Sequence, residues 1–118
     1  MLMMPAAHAE NDHIADTVVQ SYFTALKSGD IETIKTLAGG KLLKQIVDLL
    51  EHNKHYSRFL RNHYKRTKFN IVNVSYLPSA VIIKAEYVFG VNDILNYKLV
   101  IKQQNSLWKI VNTKSLAY

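Results

Sequence analysis

From Lys68 onward, apolar and polar residues alternate along the chain. Val81, Ile83, Ala85, Tyr87 and Phe89 fall on one side of an extended segment, with Lys84 and Glu86 on the other. That period of two is the signature of a half-buried β-strand. Leu95, Tyr97, Leu99 and Ile101 repeat it opposite Asn96, Lys98 and Lys102, and Trp108 and Ile110 do so opposite Lys109. Leu77-Pro78-Ser79, Gly90-Val91-Asn92-Asp93 and Gln104-Asn105-Ser106 separate the runs as turns. Connections this short join antiparallel neighbours, because a parallel crossover needs a dozen or more residues. Phe69 to Tyr76 precedes them as a further strand whose apolar residues change phase between Ile71 and Val72, which predicts a bulge or burial on both faces. The expectation is a curved, four-stranded antiparallel meander with one apolar face.

The first half carries helical spacing instead. Asn11 and Asp12 are placed to cap a helix in which Ile14, Val18, Tyr22 and Leu26 recur every four residues, with Ala15, Val19 and Phe23 widening the stripe. Ser28-Gly29 stops it, and Asp30 caps a short second helix with Ile34 and Leu37 inward. Leu42 to Leu50 predicts a third helix, apolar enough to be largely covered, and His52-Asn53-Lys54-His55 breaks it. Ser57 is a candidate cap for a fourth, with Tyr56, Phe59, Leu60 and Tyr64 on one face and Arg58, Arg61 and Lys65 outward. Helices followed by a meander make an α+β domain, with the N-terminal helices packed on the sheet.

Composition narrows the chemistry. The 118 residues suffice for one domain with a real core. No stretch approaches the ~20 apolar residues of a membrane span. The absence of cysteine excludes disulfides, thiolate metal sites and a cysteine nucleophile. The net charge of +6 is matched by the segment Lys41 to Lys68 alone, where eight basic residues face only Asp48 and Glu51. Such a region attracts anions or simply keeps a face solvated. At the other end, Ala7-His8-Ala9 has the form of a signal-peptidase site, although a charged n-region is missing. Residues 1–11 are therefore read as the remnant of a signal peptide or a disordered tail, and 12–118 as the domain. A periplasmic or secreted protein beginning at Glu10 follows from the first reading; a genuine N-terminus would leave it cytoplasmic.

Val18-Val19-Gln20-Ser21-Tyr22-Phe23-Thr24-Ala25-Leu26-Lys27-Ser28-Gly29-Asp30 resembles the first helix and Gly-Asp turn of the NTF2-like superfamily, and Leu107-Trp108-Lys109-Ile110 resembles its closing strand. The order of elements between them is similar to small exported domains of the DUF4878 and lumazine-binding-like kind. The resemblance implies a cone, related to the cystatin-like shape, with a pocket between the sheet and the first helix. It implies no single function, because this fold hosts isomerases, dehydratases, transport adaptors and inert binding domains.

In such a pocket Tyr22, Tyr87, Tyr97 and Trp108 are the expected ligand-binding residues, with Ile83, Leu99 and Asn112 as further candidates for the lining. The isomerases of the superfamily use a carboxylate base and an oxyanion-holding donor. Here Glu86 falls on the outward face, Asp93 lies in a turn and Asp30 serves as a cap, so no catalytic residue is assigned. A bulge or one-residue slip would bring Glu86 inward. His52 and His55 share a helix face only if the helix is unbroken. His63 would then lie roughly 80° from His55, and with only Glu51 close by to supply a further ligand no metal site is assigned. No cofactor is expected. Alternation also leaves Ile82, Val88, Val100 and Val111 outward among lysines, a face suited to a homodimer.

Two functions from different classes follow. One is a non-catalytic module that buries a small apolar or amphiphilic ligand. The other is a protein that meets an anionic surface, lipid or envelope polymer, through Arg58, Arg61, Lys65, Arg66 and Lys68. Nucleic acid is not an expected partner of an exported protein. A third possibility, an isomerase or dehydratase-type enzyme, requires an inward carboxylate.

Overall fold

A computed structural model describes residues 4–116, with side chains from residue 14 onward. Four helices precede four strands: α1 (Met4–Ser28), α2 (Ile31–Leu37), α3 (Gly40–His52), α4 (Tyr56–Tyr64), then β1 (Lys68–Leu77), β2 (Ala80–Gly90), β3 (Asp93–Gln104) and β4 (Leu107–Ser115). The strands form one antiparallel sheet in the order β1-β2-β3-β4, the expected meander. The helices cover its inner face, where Ile83, Leu99, Ile101 and Ile110 are fully buried against Val19, Phe23 and Ile34.

Helix α1 begins at Met4, so Asn11 and Asp12 lie within it and do not cap it. Its C-terminus closes as a Schellman motif. Gly29 adopts φ +68°, its N–H donates to the Leu26 carbonyl, and the Asp30 N–H donates to the Ala25 carbonyl. Asp30 then caps α2, accepting from the Thr33 N–H at 3.2 Å and the Thr33 hydroxyl at 2.6 Å. Those two bonds, the side-chain one foremost, hold its carboxyl below the usual carboxylate range. Ser57 caps nothing: its hydroxyl donates to the Gly29 carbonyl at 2.6 Å, tying the start of α4 to the end of α1. Helix α3 is less covered than its composition predicts. Only Leu42 and Ile46 are buried, while Val47 and Leu49 are exposed.

Three bulges set which residues face inward. Val72 is the extra residue on β1, between the pairs Ile71–Ala85 and Asn73–Lys84, and it is 60% exposed. This is the predicted bulge, without burial on both faces. Phe89 is the extra residue on β2, between Val88–Ile94 and Gly90–Asp93. On β4 the extra residue is Val111, between Ile101–Ile110 and Val100–Asn112. Directly opposed residues share a face, so this last bulge turns Asn112 outward beside Val100 and brings Thr113 inward beside Leu99. Asn112 is therefore not a pocket residue. Val111 lies against Gly40, whose added Cβ would meet the Val111 Cβ at 3.5 Å, and so is not part of the outer sheet face.

The outer face carries a feature that alternation alone does not reveal. Lys84 opposes Lys98, and Lys98 opposes Lys114, making a row of three lysines across β2, β3 and β4. The ion pairs among the described residues are Lys35–Glu32 and His52–Asp48, so the row has no counter-charge there. It also separates the apolar pair Ile82–Val100 from the pair Val88–Ile94. Like charges in direct opposition destabilise a sheet by some tenths of a kcal/mol each. Lys98→Glu replaces two repulsions by two attractions and is expected to stabilise the fold by about 1 kcal/mol. Thermal unfolding reads that as a rise of about 4 °C. An unchanged or lower melting temperature would show that the lysines do not face one another.

Candidate functional site

The structure divides the predicted site residues into three places. Tyr22, Tyr87 and Tyr97 come together. Tyr87 and Tyr97 are neighbours on β2 and β3 with ring centroids 4.2 Å apart in a stack. Tyr22 reaches them from α1, where the same helical stripe buries Phe23. Phe69 stacks on Phe23 at 4.4 Å and meets the edge of Tyr87 at 4.8 Å. Tyr64 of α4 completes the cluster, 6.2 Å from Tyr87 and 5.9 Å from Phe89. The rings occupy this end of the cone themselves.

Burial in that setting makes a phenolate costly. The hydroxyls of Tyr22 and Tyr87 are both pushed well above the ordinary value, first by desolvation and then by the neighbouring phenols. Tyr64 is pushed up to about 12 for the same reasons, and Tyr56 is raised by burial. These are neutral hydrogen-bonding groups over the whole physiological range.

Trp108 stands elsewhere. It opposes Gln103 on β3, six residues along the strand from Tyr97, which is roughly 20 Å at the rise of an extended chain. A groove of about 570 Å³ lies on one side of it, lined by Tyr76, Leu77, Pro78, Val81 and Gln103 among others. A second groove of about 300 Å³ runs between Trp108 and Ile14, Val18, Leu37 and Leu107, with Thr36 and Lys109 at its margin. The Lys109 ammonium donates to the Thr36 carbonyl and holds α2 to this edge of the sheet. The Gly39 N–H donates to the Ile110 carbonyl at 2.9 Å and adds a second tie. The four residues expected to line one pocket thus belong to two ends of the cone, one packed with rings and one grooved around a single indole. The grooves recruit Ile14, Val18, Tyr76 and Gln103, none of which the alternation pattern singled out as site residues. Gln103 does continue the inward positions of β3, and that was the available signal.

Arg58, Arg61, Lys65, Arg66 and Lys68 are all exposed, as expected of a basic surface. Phe59, expected inward, is 51% exposed. Its ring lies between Tyr56 and His63 at 6.1 and 5.4 Å, nearly parallel to both. His52 ends α3 and His55 precedes α4, so the two do not share a helix. Asp48, Glu51 and His52 do approach one another on α3, fully in solvent, and the His52 ring is engaged with the Asp48 carbonyl at 2.9 Å.

Register also settles the carboxylates. Glu86 opposes Asn70 and Asn96 on the outer face. Asp93 opens β3 in the open, and Asp30 is occupied as a cap. Among the described residues, the inward positions of the sheet carry no carboxylate. Nor is any described helix long and apolar enough to cross a membrane.

Two solved structures share this architecture. One is the crystal structure of an NTF-2 like protein of unknown function from Silicibacter pomeroyi, 13% identical, with a TM-score of 0.66 over 92% of this chain and 98% of that one. The other is a five-substitution variant whose name carries the NTF2 label, 12% identical, with a TM-score of 0.67 over 91% of this chain and 99% of its own. No protein-family model and no curated protein matches the sequence. With helices on one face of a curved four-stranded antiparallel sheet, the chain has the NTF2-like fold.

Proposed function

We propose that the protein is a non-catalytic binding domain that takes a small apolar or amphiphilic ligand at the Trp108 end of the cone. The observation that carries this reading is the pair of grooves sharing one indole wall. The larger lies within the ~300–1,000 Å³ range of small-molecule sites, and Leu77, Pro78 and Val81 give it apolar walls beside the polar groups of Tyr76, Ser79 and Gln103. Tyr22, Tyr87 and Tyr97 support the scaffold from the far end and do not touch the ligand. Among the described residues the inward face of the sheet offers no carboxylate base for proton abstraction, which supports a reading of binding without turnover.

Trp108 is the only tryptophan, so its emission reports on the site directly. Native mass spectrometry followed by organic extraction identifies what the purified protein carries, and titration with decanoate supplies a defined probe. Decanoate is expected to shift Trp108 emission and saturate. Trp108→Ala is expected to weaken binding at least tenfold by calorimetry, whereas Tyr97→Phe changes it less than twofold. Equal losses in both variants would return the site to the tyrosine end. An unresponsive Trp108 emission with no extractable molecule would remove the binding reading.

A further inference from the structure

We propose that the opposite end of the sheet is a docking tip for an anionic lipid surface, built from the β2–β3 hairpin and the α4–β1 junction. Val91 sits at the hairpin turn and is 93% exposed, the most exposed large apolar residue described. Ile94 and Leu95, the first apolar residues of the returning strand, are exposed beside it, and Phe59 is exposed on α4. Contacts of His63 with Phe89 at 5.1 Å and with Phe59 at 5.4 Å bring that helix to the hairpin. A Val at a two-residue hairpin turn has no folding role: turns favour Gly, Asn and Asp, and a polar residue there costs the core nothing.

Cations flank this apolar tip on its α4–β1 side. Lys65 and Arg66 are exposed where α4 passes into β1. Lys68 opposes Val88, which in turn opposes Ile94, so all three lie in one row of the outer face. Arg58 and Arg61 extend the positive surface along α4. Asp93 is the one acidic residue in the hairpin turn.

An exposed apolar tip with a basic flank is complementary to a bilayer interface. There, apolar side chains enter the headgroup boundary while lysine and arginine stems lie along it with their charges at the anionic phosphates. A single-stranded nucleic acid fits less well, because it needs open aromatic faces for its bases. The exposed Phe59 ring is already engaged with the rings of Tyr56 and His63. The proposal is independent of the ligand groove, which lies at the other end of the strands.

Co-sedimentation of the full chain tests it, with phosphatidylcholine vesicles that either contain or lack phosphatidylglycerol. Binding is expected only to the anionic vesicles and is expected to weaken as salt rises. Val91→Glu is expected to reduce it at least tenfold, with melting temperature and Trp108 emission unchanged. Replacing Lys65, Arg66 and Lys68 together by Gln is expected to have an effect of similar size. The proposal is overturned if the parent chain ignores anionic vesicles, or if Val91→Glu binds as the parent does. It is equally overturned if a DNA oligonucleotide binds as tightly as the vesicles with no effect of Val91→Glu. A dimer that sediments as such and dissociates on Val91→Glu would assign the tip to a second copy of this chain instead.

Discussion

Gly29→Ala is expected to destabilise the protein by about 3 kcal/mol, as a backbone penalty and a steric clash add together. Gly29 holds φ +68°, a region where a Cβ costs about 1–2 kcal/mol. The same Cβ would press into the Ser57 carbonyl oxygen and come within 3.0 Å of the Ser57 hydroxyl. That carbonyl belongs to the first turn of α4, whose Ser57 hydroxyl bonds back to the Gly29 carbonyl. The junction has no slack on either side, so overpacking adds about 1–3 kcal/mol. Gly40 provides the internal control. It also has positive φ, +51°, but its Cβ would meet Val111 at 3.5 Å and the Gln104 side chain at 3.7 Å, both ordinary contact distances. Gly40→Ala therefore carries the backbone cost alone, about 1 kcal/mol. Thermal unfolding is expected to place Gly29→Ala about 12 °C below the parent and Gly40→Ala about 4 °C below. Equal shifts would mean that α4 does not close on the end of α1 as described. Because Tyr56 and Tyr64 are carried on α4, the same junction positions the tyrosine cluster.

That cluster gives the second large effect, a steep loss of stability in alkali. Tyr22, Tyr64 and Tyr87 all have folded-state values raised above the ordinary value near 10, chiefly because burial disfavours the phenolate. The folded chain therefore keeps protons that the unfolded chain releases. Stability is full below about pH 10 and falls as pH rises from there through the folded values. Each retained proton contributes about 1.4 kcal/mol per pH unit, so three give a slope of about 4 kcal/mol per unit. At that slope a domain of typical stability, about 5–15 kcal/mol, loses it over about one to four pH units. Urea unfolding at a series of pH values measures the slope, and tyrosinate absorbance reports ionisation in the folded state. Tyr87→Phe is expected to lower the slope by about one third while leaving neutral-pH stability little changed. Ionisation of these three groups near pH 10 without unfolding would show that the cluster is solvated and the cone open at this end. The ligand site would then need to be sought there as well as around Trp108.

The two ends of the cone now have distinct assignments. At one end, aromatic rings from α1, α4, β1, β2 and β3 pack against one another and leave Trp108 out. At the other, two grooves share the indole. Beyond the tyrosine cluster lies the hairpin tip, with basic residues on its α4–β1 side. The ligand site proposed at one end and the lipid-facing tip proposed at the other would divide the molecule in the way its unevenly placed charge does.

Local chemistry was sufficient for the architecture. Alternation with period two, together with turns too short for a crossover, leaves the antiparallel meander as the one arrangement of the last third. Gly29 and Asp30 end one helix and start the next through bonds that span six residues at most, so their roles were legible too. The bulge near Val72 appeared in the sequence as a change of phase.

What remained hidden depends on contacts between distant segments. The bulge at Val111 leaves no mark in composition, yet it exchanges Asn112 for Thr113 at the inner face. The lysine row exists because register aligns residues from three strands, each of which looks like an ordinary solvated position by itself. Exposure of Val47, Leu49 and Phe59 reflects how little of α3 and α4 the sheet covers, whereas the helical pattern marks only which face is apolar. The separation of Trp108 from the tyrosines was hidden for a related reason. Alternation assigns Tyr97 and Trp108 to the same face but carries no information about distance along it. Facing is local to a strand, while proximity is set by register and by the roughly 20 Å of extended chain between two rows.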